Sequence, residues 1–456
     1  MTANYENIHK IFFIGIGGVS MSALASIAHS RGYTVGGSDR SDSATVADLR
    51  AQGITVFVGH DAKNVMGYDT VVYNAAIGAD NPELAYAEKA GLTLIYRADF
   101  LTFLMGDYTH AVGIAGMHGK STTSAMIAQM FLTAKRDPDI LIGASLPSIG
   151  RSYRVGKTGT DFIFEACEYR DSFLSFRPTI AVVLNVEMDH PDYFKSIAQV
   201  RSSFRRYLQI PDANGWAVLN ADDRNIPYCT EGIRASQCTF GIESPTADYR
   251  AQNIVFTGGH PTFDVLRRGE PFCRVALHLT GMHNVYNALA AVAVGDLCGL
   301  SAEQIVQGLQ AFTGAGRRME YKGTFRPTGA AVYDDFGHHP SEVKTTINGA
   351  KQMDYERVFV VYQPHTFSRT AELLEDFRHA FSEADGVAFA DIYAAREQNT
   401  YGISSKDIAD GIPGAVYLPQ WDDITAWLTE HTTARDMILV MGAGDISRYA
   451  QYIGES

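Results

Sequence analysis

Cysteine is scarce in this sequence: Cys167, Cys229, Cys238, Cys273 and Cys298 are the only five in 456 residues, an odd number with no Cys-x-x-Cys pair. That excludes a disulfide scaffold and a zinc module, and implies reduced thiols in a cytoplasmic protein. Positive charge is also in deficit. With 38 Lys+Arg against 51 Asp+Glu the formal net charge is -13. Such a balance argues against nucleic acid or an anionic membrane as the main partner, leaving only local basic clusters for phosphates. A membrane-length apolar run is lacking too. A long uncharged stretch near the N-terminus, Ile11 to His29, is interrupted by glycines and serines, and reads as strand, glycine turn and helix instead of a membrane span. No low-complexity tract occurs. What is present, 46% hydrophobic and 20% charged residues, excludes a disordered, collagenous or coiled-coil chain. At roughly 100 to 200 residues per domain, the length implies two to four domains.

The apolar pattern repeats one unit three times: a short buried run, a small-residue turn, then a helical period. The first set is IFFIGIGGVSMSALA (Ile11 to Ala25), followed by strand-like runs at Tyr33 to Asp39, Ile54 to His60 and Asp69 to Ile77. The second starts at His110 with HAVGIAGMHGKSTTSAMIAQMF and continues through DFIFEA and TIAVVLNV. After Leu219, alternating segments such as QCTFGI, AQNIVF, PTFDVL and RVALHL predict a small antiparallel sheet, followed by a helix in GMHNVYNALAAVAVGDLCG. The third set, from Arg317, contains AAVYDDF, ERVFVVYQ, GVAFADIY and MILVMGAGD. The expected fold is α/β with three domains, at 1-107, 108-315 and 316-456: Rossmann-like, central P-loop ATPase-like with a mixed sheet, and Rossmann-like again.

The sharpest local signal is Gly113-Ile-Ala-Gly116-Met117-His118-Gly119-Lys120-Ser121-Thr122 between an apolar strand and an alanine-rich helix. It departs from a strict G-x-x-x-x-G-K-[ST], since Ile114 stands where the first glycine belongs. The physics is the same. Glycines let backbone N–H groups turn inward, the helix N-terminus adds positive potential, and a polyphosphate is held there. Lys120 then reaches the terminal phosphates, and the Ser121 hydroxyl is placed for Mg²⁺. The next two buried strands end in Cys167 and Glu168, and in Glu187, Asp189 and His190. Strand ends are where α/β folds build sites, and Mg²⁺ favours the carboxylate oxygens among these residues and tolerates one nitrogen ligand.

AGMHGKSTT, EACE (Glu165 to Glu168), NVEMDH (Asn185 to His190), NADD (Asn220 to Asp223), HNVYNALAA (His283 to Ala291) and GHHPSE (Gly337 to Glu342) together resemble the Mur ligases. The resemblance runs in order along nearly the whole chain. IGIGGVSMS, GSD, HHPSE, YQPHTFSRT (Tyr362 to Thr370) and GAGD point within that family to the branch that adds the first amino acid. It implies an ATP-dependent ligase of peptidoglycan precursor synthesis that joins L-alanine to the carboxylate of UDP-N-acetylmuramate through an acyl phosphate, with ATP and Mg²⁺. A recycling ligase that adds a whole tripeptide is the alternative within the family.

Carried over residue by residue, the resemblance implies that Gly116, Met117, His118, Gly119, Lys120, Ser121, Thr122, Asn284, Asn287, Arg317 and Asp335 bind ATP. It implies that Ser121, Glu168 and His190 serve the metal, and that Lys120, His190, His338, Arg369 and Arg318 are catalytic. His365 and Arg369 fall to the amino acid, and Gly15, Gly17, Gly18, Asp39, His60 and Asn74 to the UDP sugar. Met117 and Ser121 stand where many members have threonine, Phe204 replaces the modified lysine of sister ligases, and Thr366 replaces an arginine of some alanine ligases. The implied partners are small molecules, with no nucleic acid and no membrane insertion, and the expected assembly is a monomer or weak homodimer. Two readings from other classes stay open. Gly15-Ile-Gly17-Gly18 followed by Asp39 is nearly a dinucleotide fingerprint, and so admits a nicotinamide oxidoreductase. A nucleotide-binding regulator without catalysis also fits the phosphate loop.

Overall fold

The computed structural model describes residues 8–455 except 75, 191, 192 and 396. Its strands form three sheets of five, ten and six strands. In the first, strand Lys10–Ile14 lies at the centre and alternates its side chains between two cores: Ile11 and Phe13 enter one, Phe12 and Ile14 the other. A strand buried on both faces reads as the unbroken apolar run seen in sequence. All pairings are parallel. Crossovers run one way from this strand through Thr34–Asp39 to Thr55–Val58, and the other way through Thr70–Tyr73 to Thr93–Tyr96. The order therefore reverses beside Lys10–Ile14. At such a switch point the carboxyl ends of the two diverging strands open a crevice.

The ten-stranded sheet repeats this arrangement around strand His110–Ala115, flanked by Asp161–Glu165 and Ile180–Val183. The helix that follows, Lys120–Thr133, is buried on nearly every side under helices Met282–Leu297 and Ala302–Gln310. Its all-round apolar character is what a helix clamped between layers requires. The central sheet is mixed, as expected, but the small antiparallel sheet expected after Leu219 is corrected in part. Ser236–Gly241 pairs parallel with Trp216–Asn220 and with Tyr249, and only Tyr249–Thr257, His260–Arg267 and Glu270–Ala276 are antiparallel; all continue the central sheet. Alternating residues mark a half-covered strand, but do not say which sheet its edge joins.

The third sheet has one antiparallel edge, Glu320–Phe325 against Ala330–Asp335, and is otherwise parallel. Separate cores lie on its two faces. By contrast, the first and second sheets share a core: Ile11, Phe13 and Leu104 belong to one cluster with Ala111, Phe162 and Tyr207. Among the described residues no helix is long and apolar enough to cross a membrane, and all five cysteines are free.

Candidate active site

Strand His110–Ala115 feeds directly into the phosphate loop, and Gly119, at φ +82°, caps the helix Lys120–Thr133. A β-carbon on Gly119 would sit 2.5 Å from Asn287 Oδ1, so the loop passes beneath Met282–Leu297 only because that position is glycine. Asn185, just past the neighbouring strand, clamps the loop: its Oδ1 accepts from His118 N at 2.8 Å and its Nδ2 donates to His118 O at 3.0 Å.

The Lys120 ammonium folds back over this loop, donating to Gly116 O at 2.6 Å, Met117 O at 3.0 Å and Glu168 Oε1 at 3.2 Å. His190 Nε2 lies 3.1 Å from the same carboxylate oxygen. Burial works against the charge of both Lys120 and Glu168; their attraction outweighs it, raising the lysine and lowering the carboxyl. The Ser121 hydroxyl donates to Glu165 Oε2 at 2.8 Å, not to Glu168. Among the described residues no three His, Cys, Asp or Glu are grouped to hold a metal ion unaided. Ser121 and Glu168 nevertheless offer hard oxygen donors beside the loop, which suits Mg²⁺, an ion usually held by one or two carboxylates, waters and substrate phosphates.

In front of the loop opens a cavity of about 280 Å³ between the second and third sheets. His118, Gly119, Thr122, Asn284, Asn287, Arg318 and Asp335 line it. Asn284 and Asn287 share the helix face toward the cavity and are joined by a 3.0 Å hydrogen bond. Arg317 is not among the lining residues: its guanidinium reaches Gly442 O and lies 3.4 Å from Asp334. Asp335 accepts from Met319 N and Gly337 N, anchoring the segment that carries Arg318. Arg317 and Arg318 both rest on the ring of Phe336, their guanidinium carbons 4.9 and 5.1 Å from its centroid.

The third sheet brings its strand ends to the same place. His338 Nδ1 lies 3.2 Å from Phe336 O, which assigns the ring proton to Nδ1 and leaves Nε2 as an acceptor. Burial pushes His338 down to about 3, and burial with the nearby Arg369 pushes His365 down to about 4, so both are neutral. Arg369 is buried, contacts His365 Nδ1 at 3.3 Å and reaches Asp189 Oδ1 at 3.4 Å. Among the described residues its Nε finds no hydrogen-bond partner.

The six residues expected at the UDP sugar lie on the first sheet. Gly15 and Gly18 belong to the turn after Lys10–Ile14, and Gly17 N donates to Asp39 Oδ2 at 2.9 Å. Asn74 follows Thr70–Tyr73, across the switch point, and accepts from Ala76 N at 2.8 Å. His60 instead faces a buried polar cluster, 2.9 Å from Glu83 Oε2 and 3.0 Å from Ser38 Oγ.

Several residues with a place in this site were not singled out from the sequence: Glu165, Asn185, His283 and Glu342. Glu165 and Asn185 stand at strand ends inside EACE and NVEMDH, a position that signals a site residue. His283 lies beside Asn284 on the cavity wall, and burial with the nearby Arg318 lowers it to about 4. Glu342 is at the third position of helix Pro340–Ala350, where it closes a capping box.

Comparison with known proteins finds relatives along nearly the whole chain. Family models match residues 10–109 (Mur ligase family, catalytic domain), 114–295 (Mur ligase middle domain) and 317–444 (Mur ligase, glutamate ligase domain). UDP-N-acetylmuramate--L-alanine ligase of Agathobacter rectalis is 43% identical over 443 residues, 96% of this chain and 95% of that protein. The Clostridium novyi protein of the same name is 40% identical over 455 residues, 99% and 98% of the two chains. The crystal structure of UDP-N-acetylmuramate-alanine ligase from Thermotoga maritima superposes with a TM-score of 0.79 at 26% identity, covering 98% of each chain.

Proposed function

The chain belongs to the Mur ligase family, and from that premise we propose that it is the ATP-dependent ligase joining L-alanine to the muramoyl carboxylate of UDP-N-acetylmuramate. The observation that carries the reading is the phosphate loop facing a cavity walled jointly by the central and C-terminal domains. Its relatives' names favour L-alanine over a tripeptide as the acceptor.

A carboxylate is a poor electrophile, and phosphorylation makes it a good one. On this reading a muramoyl carboxylate oxygen attacks the γ-phosphorus, the bond to ADP breaks, and an acyl phosphate forms. The L-alanine amine then attacks the acyl carbon, the C–O bond to phosphate breaks, and the amine surrenders a proton as phosphate departs. The protein's share is positioning and charge neutralisation. Lys120 leaves its loop carbonyls for the β- and γ-phosphates, and Asn284 and Asn287 contact the adenine. Arg318, held on Phe336, presents a planar fork to the transferring phosphoryl group. Ser121, Glu168 and His190 would hold Mg²⁺, which when bound offsets the repulsion between two anions. The neutral Nε2 of His338 receives the alanine ammonium, and Arg369 its carboxylate. Gly15, Gly17, Gly18, Asp39, His60 and Asn74 serve the UDP sugar, with His60 acting through the buried Ser38–Glu83 cluster. Domains at 1-107, 108-315 and 316-456, a cytoplasmic location and a monomer or weak homodimer complete the proposal.

The test is phosphate release from ATP with Mg²⁺ and UDP-N-acetylmuramate, run with L-alanine, with the tripeptide and with no amine. Turnover with L-alanine is expected. Turnover with the tripeptide alone moves the protein to recycling, and no release from folded, ATP-binding protein overturns the catalytic reading.

A further inference from the structure

The tip of the phosphate loop is tied to the C-terminal domain through one imidazole. His118 Nδ1 meets Glu342 Oε1 at 3.0 Å, while its Nε2 meets the Glu187 carboxylate and lies 3.3 Å from Ser341 Oγ. Glu187 follows a strand of the central sheet, whereas Ser341 and Glu342 begin helix Pro340–Ala350 of the third. Two carboxylates on opposite ring nitrogens require both nitrogens to donate, which only an imidazolium does. Burial works against that charge, yet Glu342 and Glu187 together hold His118 up to about 10. Burial likewise works against the Glu342 carboxylate, yet the groups around it, His118 and Arg318 among them, hold it well below the usual range.

The other oxygen of Glu342 is also engaged. Oε2 accepts from His338 N at 3.0 Å and His339 N at 3.3 Å, the backbone that carries the histidine proposed to receive alanine. One carboxylate therefore joins the nucleotide side of the site to the amino-acid side, and His118, Glu187, Ser341 and Glu342 all line the nucleotide cavity.

We propose that Glu342 is a positioning residue for the ligase reaction: through His118 it latches helix Pro340–Ala350 onto the phosphate loop, so that nucleotide capture and placement of His338 occur in the same closed arrangement. The role of the cavity rests on the functional reading above; the latch itself rests on the contacts. Removing it lowers the fraction of molecules closed, and apparent nucleotide affinity falls in proportion to that fraction.

The experiment compares wild type with Glu342→Gln, His118→Gln and the double variant. Glutamine at the third helical position keeps the capping box, so Glu342→Gln removes the charge and spares the helix start. Calorimetric affinity for a non-hydrolysable ATP analogue, KM for ATP and for UDP-N-acetylmuramate, kcat and Tm are measured for each. The latch predicts that either single variant weakens analogue binding and raises KM for ATP about tenfold, with KM for the UDP sugar changed less than about twofold. It also predicts that the double variant is no worse than the singles, since both remove one contact. Glu342→Asp, which keeps the charge, recovers part of the lost affinity. Unchanged analogue affinity in Glu342→Gln, or losses that multiply in the double variant, overturns the latch. Wild-type protein that binds the analogue but releases no phosphate defeats the ligase reading, and the binding arms still decide the latch.

Discussion

Lys120 is held by its own loop, and three acceptors occupy its ammonium before any phosphate does. Lys120→Ala is expected to abolish phosphate release while leaving UDP-sugar affinity nearly intact, because that ligand is assigned to a different sheet; isothermal titration with the UDP sugar checks this. The histidines carry a pH signature. His338, His365 and His283 fall from 6.5 to about 3, 4 and 4, so the unfolded chain binds protons there that the native protein refuses. Their effect is full stability above 6.5 and progressive loss as pH falls toward 4. His118 has the opposite sign: raised to about 10, it contributes fully below 6.5 and loses its contribution as pH rises through 10. Thermal stability measured against pH is expected to be shallower on the acid limb in His365→Gln, and shallower on the alkaline limb in His118→Gln. The residue types were legible in the motifs, but the sign of each shift was not, since it depends on how deeply each ring is buried and which charged groups fold against it.

At the level of elements, the phosphate loop depends on a strand that delivers it, a helix that receives it and a second helix lying across it. Gly119→Ala would place a β-carbon 2.5 Å from Asn287 Oδ1 in a left-handed backbone, and is expected to weaken ATP-analogue binding more than about tenfold. Helix Ala302–Gln310 offers the contrast. Its capping box pairs Ser301 with Gln304 away from the site, so Ser301→Ala is expected to cost about 1 kcal/mol in denaturant unfolding without changing kcat. Strand, glycine turn and helix were readable at Ile11 and His110 because buried parallel strands are unbroken apolar runs. The partners of Ser236–Gly241 were not, because alternation names a face and not a neighbour.

Across the whole molecule, the first two sheets share a core, while the third meets the second at least partly through polar contacts, His118 with Glu342 and Arg369 with Asp189 among them. Polar interfaces open more readily than shared apolar cores. Small-angle scattering is therefore expected to show a smaller radius of gyration with ATP analogue and UDP sugar together than without them. An unchanged radius would count against domain closure.

The sequence by itself determined the α/β class, the three repeated strand-turn-helix starts, the phosphate loop and its family, because those are properties of contiguous residues: apolar period, glycine spacing and ordered motifs. Only the tertiary structure decided that Ser121 faces Glu165, that Arg318 lines the cavity while Arg317 turns to Asp334, and that Glu342 meets His118. The last pair stands 224 residues apart along the chain. Such contacts depend on where separate sheets come to rest against one another, and a short-range pattern carries no information about that.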